Sequence, residues 1–411
     1  MNLTTIDVIF FIYMFVGLYM TFLLILIYFQ NRKKIFSYPK SKPEPVSIVM
    51  PCYNEGKNIG DSIESILKLD YPKDMIEIIV VDDKSKDNSV EIARQYEKKY
   101  KNVRVIVNKH NSGGAAEPRN IGIKAAKYKY VAVTDADSSP HPETLRKMIG
   151  YLQEDPTVAA VTCSVLVKNA RTRMQKLQAI EYKVISFTRK LLDTVDAVYV
   201  TPGPFALYRK DVLEEIGYFD KTNMTEDIEI VWRLRKFGYR ARMCLAAKVY
   251  SEPPSKFRQW WRQRVRWNIG GTQTMIRYKG LVFKQGMLGL FIIPFFTLSL
   301  FLGLFGLMLL FYLVGRRLIV SYLSTKYSIY AQSTVLALQD LTFAPSVLNF
   351  FGAALFFLSL SFTIFVLANM RDPEQKTKLF NIAIYLLVYL TIYPFISLVS
   401  VYKLLRGKYS W

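Results

Sequence analysis

The chain has 411 residues, 51% of them hydrophobic, and carries 55 Lys and Arg against 33 Asp and Glu for a formal charge of +22. That length holds one sizeable soluble domain plus several membrane spans, and the charge calls for an anionic partner: nucleic acid, anionic lipid or the phosphates of a nucleotide-sugar. Cys52, Cys163 and Cys244 are odd in number and widely spaced, without CxxC or Cys/His pairing, which indicates neither a disulfide framework nor a zinc site and fits a reducing compartment.

Val8 to Phe29 is an almost unbroken apolar run without a charge, about the length that crosses the hydrocarbon core. A signal peptide fits it less well, because the run is long, follows Asp7 and ends in Asn31-Arg-Lys-Lys34 with no small-residue cleavage site. Tyr38 to Glu44 is a Pro- and Lys-rich linker. Val46 to Pro51 then predicts a strand, and Ile59, Ile63, Ile66 and Leu67 follow at helical spacing. The rhythm continues with strand Ile76 to Val81, a helix near Ser89 to Lys99, strand Val103 to Val107, a helix near Asn120 to Lys127 and strand Tyr130 to Thr134. Such alternation predicts an α/β domain with a mostly parallel sheet covered on both faces, whose ligands bind beyond the carboxyl ends of the strands. Those ends carry Cys52-Tyr-Asn-Glu55, Asp82-Asp83 and Asp135-Ala-Asp137.

Apolar runs return at about Met287 to Val314, Val347 to Asn369 and Phe380 to Tyr402. Basic residues after the first span (Arg32, Lys33, Lys34) and before the last (Arg371, Lys376, Lys378) place the middle region in the cytosol and the N-terminus outside, although Arg316, Arg317 and Lys326 fall on the opposite side. The expected organisation is a transmembrane helix over 1–32, a cytosolic catalytic domain over 33–250, amphipathic interface helices over 251–284 and a membrane region of about three helices over 285–411. A lipid bilayer is thus an expected partner, at the cell membrane, and nucleic acid is not.

Asp135 and Asp137 flank a small residue after the strand Val131-Ala-Val-Thr134, so both carboxylates can turn toward one hard divalent cation and bridge it to a diphosphate. A solvated loop is the bland alternative. Asp82 and Asp83 can accept from a nucleobase or ribose, or merely form a capping turn. Tyr53 and Glu55 offer a stacking ring and a loop carboxylate, or are simple surface residues. Thr225-Glu-Asp227 precedes the periodic Ile228, Val231 and Leu234: Thr225 can cap that helix with Glu226 and Asp227 at its positive end, and Asp227 can also enter a cleft as general base. From Lys256 to Trp267, basic residues interleave with three Trp and one Phe, as in a helix lying at a membrane surface. Arg266 there can neutralise a leaving diphosphate, and Trp267 can stack on a sugar.

Together these pieces resemble the family-two glycosyltransferases, in the membrane-integrated branch of the cellulose, chitin and hyaluronan synthases. Pro51-Cys-Tyr-Asn-Glu55, Asp82-Asp83, Asp135-Ala-Asp137, Pro202-Gly-Pro-Phe-Ala-Leu-Tyr-Arg209, Thr225-Glu-Asp227, Glu252-x-Pro254 and Gln263-Arg-Val-Arg-Trp267 occur in the family's order. The resemblance implies a GT-A type, Rossmann-like nucleotide-sugar domain inserted between transmembrane helices, and an inverting, metal-dependent hexosyl transfer. Tyr53, Glu55, Asp82 and Asp83 would bind uracil and ribose, Asp137 with Asp135 would hold Mg²⁺ or Mn²⁺, and Asp227, beside Glu226, would be the base. Gln263, Arg264, Arg266 and Trp267 would serve the diphosphate and the acceptor end, while Gly203 and Pro204 would line the acceptor path. Polymerising members usually carry a Lys where this chain has Gly114, and Arg119 is the expected substitute.

The leading expectation is a processive synthase using a UDP-hexose or UDP-N-acetylhexosamine. The rival adds one sugar to a polyprenyl phosphate or lipid-linked glycan. Gln263-Arg-Val-Arg-Trp267 favours the first, while Gly114 and the small number of spans favour the second. A non-catalytic basic membrane binder is the distant alternative, and the sequence leaves the oligomeric state open.

Overall fold

A computed structural model describes residues 5–331, 347–370, 377–407 and 409. After α1 (Thr5–Asn31) the chain alternates β1 (Val46–Cys52), α2 (Ile59–Leu67), β2 (Ile76–Asp82), α3 (Ser89–Lys99), β3 (Val103–Val107), α4 (Ala116–Ala125) and β4 (Tyr130–Val133). It continues through β5 (Ser138–Pro140), α5 (Thr144–Glu154), β6 (Val158–Val167), α6 (Arg173–Thr194), β7 (Ala206–Arg209), α7 (Lys210–Glu215), α8 (Glu226–Lys236) and β8 (Arg240–Ser251). The strands form one eight-stranded sheet in the order β3-β2-β1-β4-β7-β6-β8-β5.

The two-residue period of a strand explains the layering. Ile48, Met50, Ile78 and Val80 enter the apolar core on one face, and Val49, Ile79 and Val81 enter the core on the other. Neighbours β3, β2, β1 and β4 are parallel, as expected. Beyond β4 the expectation of a mostly parallel sheet fails. β7 runs antiparallel between β4 and β6, β6 and β8 are parallel, and β5 returns antiparallel on β8. β7 has four residues, like β4, but lies outside the strand–helix rhythm that marks β4, so nothing flags it as a strand. Helix α4 begins four residues before the expected start, with Pro118 as its third residue, where a missing N–H breaks no intrahelical bond.

Helix α9 (Phe257–Tyr278) leads to the apolar helices α10 (Ile293–Tyr330), α11 (Val347–Asn369), α12 (Leu379–Ile384) and α13 (Tyr393–Leu405). Among the described residues, four helical stretches are long and apolar enough to cross a membrane: Asp7–Asn31, Leu288–Tyr330, Gly352–Asn369 and Leu379–Leu405. The second runs well past the expected end at Val314 and takes Arg316, Arg317 and Lys326 into α10. The last is interrupted by a π turn at Tyr385–Tyr389 and a 3₁₀ turn at Leu390–Ile392, with Pro394 in the first turn of α13. Arg371 and Lys376 lie outside the described residues. Tyr28 of α1, Phe187 of α6 and Phe365 of α11 meet with ring centroids 4.6–6.0 Å apart, joining the membrane helices to the sheet domain.

Candidate active site

Because β1, β2 and β4 are parallel, their carboxyl ends deliver the three polar loops to one edge of the sheet. There a cavity of about 540 Å³ is lined by Tyr53, Glu55, Asp83, Gly114, Asp135 and Asp137, among others. Asp83 is well held: one carboxylate oxygen accepts from the Asn108 amide at 2.7 Å, and the other accepts from the Ser112 backbone N–H at 2.9 Å and its hydroxyl at 2.8 Å. Asp82, the next residue along an extended chain, points away. Its Oδ2 accepts from the Ser85 N–H at 3.0 Å, its buried Oδ1 has no partner, and it lines neither this cavity nor the next. Burial raises the pKa of the half-buried Glu55, with Asp135 adding to the rise and a 2.9 Å hydrogen bond from Asn58 opposing it.

A second cavity of about 310 Å³ adjoins the first and shares Ala115, Asp135 and Asp137 with it. Arg119 is buried at its centre, 4% exposed, and bridges Asp135 at 2.8 Å to Glu226, which it also pairs with. The guanidinium expected to meet donor phosphate therefore also ties the Asp135 loop to the start of α8. Gly203 makes that approach possible: a Cβ there would stand 2.6 Å from Arg119 Nη2 and 2.7 Å from Asp135 Oδ2. Pro204, which lines the same cavity, anchors its loop by accepting the Thr134 hydroxyl at 2.7 Å. The Asp135-Ala-Asp137 loop is pinned through the Ala136 carbonyl, which accepts from Ser62 at 2.7 Å.

Two carboxylates here are electrostatically loaded. Burial, then the charges of Asp135 and Glu55, raise Asp137 to about 7. Burial, then Glu226, raise Asp227 to about 6, against the pull of Arg119 and Arg266. Gln263, Arg266 and Trp267 line the cavity from α9, and Arg266 Nη1 also donates to the Met224 carbonyl at 3.3 Å. Thr225 does not cap α8 with its side chain. Its hydroxyl instead donates to Asn223 Oδ1 at 3.3 Å.

Arg264 is not brought to either cavity. It is fully buried, pairs with Glu181 of α6, donates to the Tyr393 hydroxyl at 3.0 Å and to Gln263 Oε1 at 2.6 Å, and lies 4.0 Å from the centroid of the Trp267 ring. The sequence reading missed Glu181, which also accepts from Tyr389 at 2.7 Å and from Tyr393, and missed Arg189, which lines the second cavity from α6. Both sit in a mixed polar helix, where a charge reads as a solvated face. Only the placement of α6 between the sheet and the membrane helices gives them meaning.

The family model described as glycosyl transferase family 2 matches residues 47–217. The chain is 32% identical over 302 residues to the poly-beta-1,6-N-acetyl-D-glucosamine synthase of Staphylococcus epidermidis, covering 72% of each chain. It is 32% identical over 277 residues to the synthase of the same description from Staphylococcus aureus, covering 66% of each. In fold it is similar to the mannosyltransferase PcManGT from Pyrobaculum calidifontis in complex with GDP-Man and Mn²⁺, with a TM-score of 0.55 at 18% identity, over 96% of this chain and 99% of that one. With its mixed GT-A-like sheet and its long apolar helices at both ends, the chain belongs to glycosyl transferase family 2, among the membrane-integrated members that resemble polysaccharide synthases.

Proposed function

We propose that the chain is a processive synthase that takes N-acetylglucosamine from UDP-N-acetylglucosamine on the cytosolic side of the cell membrane. It adds the sugar to the 6-hydroxyl of a growing β-1,6-linked chain. The observation that carries this reading is Asp227. It is a carboxylate raised by burial to about 6, in a cavity that also holds Asp135 and Asp137 from the loop after β4 and Arg266 and Trp267 from α9. Similarity to the staphylococcal synthases over 72% and 66% of the chain supports the choice of sugar and linkage.

In the reaction, Asp227 accepts the proton of the acceptor hydroxyl as that oxygen attacks the anomeric carbon, and the bond to the diphosphate breaks on the opposite face. One displacement inverts the anomeric centre. Tyr53, Glu55 and Asp83 bind the nucleoside in the larger cavity, Asp82 supports the turn beneath it, and Arg266 meets the charge that develops on the diphosphate. Gln263 and Trp267 hold the acceptor end, with Gly203 and Pro204 along its path. Arg119 and Glu226 lock the two halves of the site together, and Arg264 acts from behind by fixing Gln263 and Trp267.

The carboxylates fit a hard divalent ion. Asp137 and Asp135 stand close enough, with Glu55, to raise the proton affinity of Asp137, which a cation between them would relieve. Arg119 binds Oδ1 of Asp135, which leaves Oδ2 for an ion, and among the described residues no three His, Cys, Asp or Glu side chains converge, so donor phosphates would complete the ligand set. Mg²⁺ or Mn²⁺ held by Asp135 and Asp137 would supply positive charge to the departing diphosphate.

The test is release of UDP by the purified full-length protein across UDP- and GDP-sugars, with Mg²⁺ or Mn²⁺ and then with chelator, followed by sizing and linkage analysis of the product. Chelator-sensitive turnover of UDP-N-acetylglucosamine into a long β-1,6-linked product is expected. A single-sugar product formed only on added lipid phosphate would overturn the reading.

A further inference from the structure

On the α6 side of the smaller cavity, Tyr182, Ser186 and Arg189 follow one another at spacings of four and three residues, so they share one face of the helix. Arg189 is only 5% exposed. Its Nε and Nη1 are both fully buried and find no acceptor, although the guanidinium stands beside Tyr199 and the residue lines the cavity that holds Asp227 and Trp267. A buried, charged N–H without an acceptor is costly, and an acceptor carried into the cavity by a ligand would relieve that cost.

The surroundings indicate what kind of ligand. Five carboxylates and three guanidinium groups, Arg189 included, line this cavity, so negative charge is already in excess around it; burial disfavours the charged form of Arg189, and Tyr199 and then Asp227 favour it. What it lacks is hydrogen-bond acceptors, which neutral sugar oxygens provide. None of the α6 residues lines the larger cavity proposed for the nucleoside, so the donor's base and ribose are not the source. Trp267 offers a flat apolar face in the same cavity, suited to a pyranose ring.

We propose that Arg189 is an acceptor-binding residue, donating Nε–H and Nη1–H to an oxygen of the terminal sugar of the acceptor glycan and so turning its hydroxyl toward Asp227. The inference rests on the proposed polymerising function and adds to it the residue that reads the acceptor. The oxygen is either a ring hydroxyl or the carbonyl of an N-acetyl group, and both present the same chemistry to a guanidinium.

The experiment compares wild type with Arg189→Met and Arg189→Lys, purified in detergent. It measures separate KM values for UDP-N-acetylglucosamine and for two neutral acceptors, β-1,6-linked N-acetylglucosamine oligomers and gentio-oligosaccharides, which carry hydroxyls only. Arg189→Met is expected to raise acceptor KM by about tenfold to hundredfold, the worth of a charged hydrogen bond, while donor KM moves less than about threefold. Arg189→Lys, which keeps the charge but not the paired donors, is expected to fall between, and it stands in for the Met variant if that protein is not recovered folded. A loss confined to the N-acetylated acceptor identifies the carbonyl, and equal losses on both acceptors identify a hydroxyl. Donor and acceptor KM rising in step, or an unmoved acceptor KM, would overturn the assignment. If wild type is idle with UDP-N-acetylglucosamine, the donor reading fails by itself, and the same comparison is made with whichever nucleotide-sugar turns over and the sugar it transfers.

Discussion

Replacing Asp227 by Asn keeps the shape of the side chain and removes its ability to take a proton. Transfer is expected to fall by about 10² to 10⁴-fold while donor KM stays within a few-fold, which separates a base from a binding group. The same carboxyl sets a pH limb. Raised by burial and by Glu226 to about 6, it is protonated and inactive below that value, so kcat/KM should climb as pH rises through about 6 and level off above. A profile flat from pH 5 to 8 in a folded enzyme would remove Asp227 as the base. At this scale the sequence was informative where a short motif names its own chemistry: Asp135, Asp137, Asp227, Arg266 and Trp267 all line one cavity. It was uninformative where a role depends on a distant partner. Arg264 belongs to the same motif as Arg266, yet its direction is set by Glu181, 83 residues earlier, and by Tyr393, 129 residues later.

Among the elements, α9 carries Gln263, Arg266 and Trp267, and two contacts fix where they stand. The first is the buried Glu181–Arg264 pair with Tyr389 and Tyr393, which ties α9 to α6 and to the last apolar helix. Glu181→Gln is expected to cost about 3–5 kcal/mol by leaving Arg264 uncompensated, whereas Glu181→Met with Arg264→Met should recover most of that loss, both read from unfolding in detergent. A double variant no better than the single would show that the pair contributes more than it costs. The second is Gly270, whose missing Cβ lets α9 pass over the start of α8. A methyl there would lie 2.2 Å from Thr225 Oγ1 and 2.6 Å from its backbone nitrogen, which cannot swing aside. Gly270→Ala is therefore expected to cost about 1–3 kcal/mol and, by moving α9 away from Asp227, to lower kcat at least tenfold. Retained kcat in that variant would show that α9 can shift without harm. Strands β1 to β4 were legible from alternation of apolar runs and helices, but nothing local distinguishes the antiparallel β7 from a loop, since its pairing with β4 joins residues about 75 positions apart.

At the scale of the molecule, α10 departs most from what its apolar run implied. Its 38 residues extend about 57 Å, nearly twice the hydrocarbon thickness of about 30 Å, so half the helix suffices to cross. The apolar half begins beside the sheet domain, where Leu288, Ile292 and Ile293 join its core. If the bilayer begins there, the half carrying Arg316, Arg317 and Lys326 would stand past the far face, which would give those basic residues water without an unpaired charge in lipid. In the proposed orientation the sheet domain is cytosolic and this half is external. Cys52, Cys163 and Cys244 are all buried, so single introduced cysteines report on a quiet background. A membrane-impermeant maleimide is expected to label Thr325→Cys on intact cells, and Ser37→Cys, just after α1, only once the membrane is permeabilised. The reverse pattern would invert the orientation and remove a cytosolic donor from the mechanism. Protection of both positions would place the second half of α10 on the same side as the sheet domain, which would make it a return arm beside the active site and not an extension beyond the bilayer.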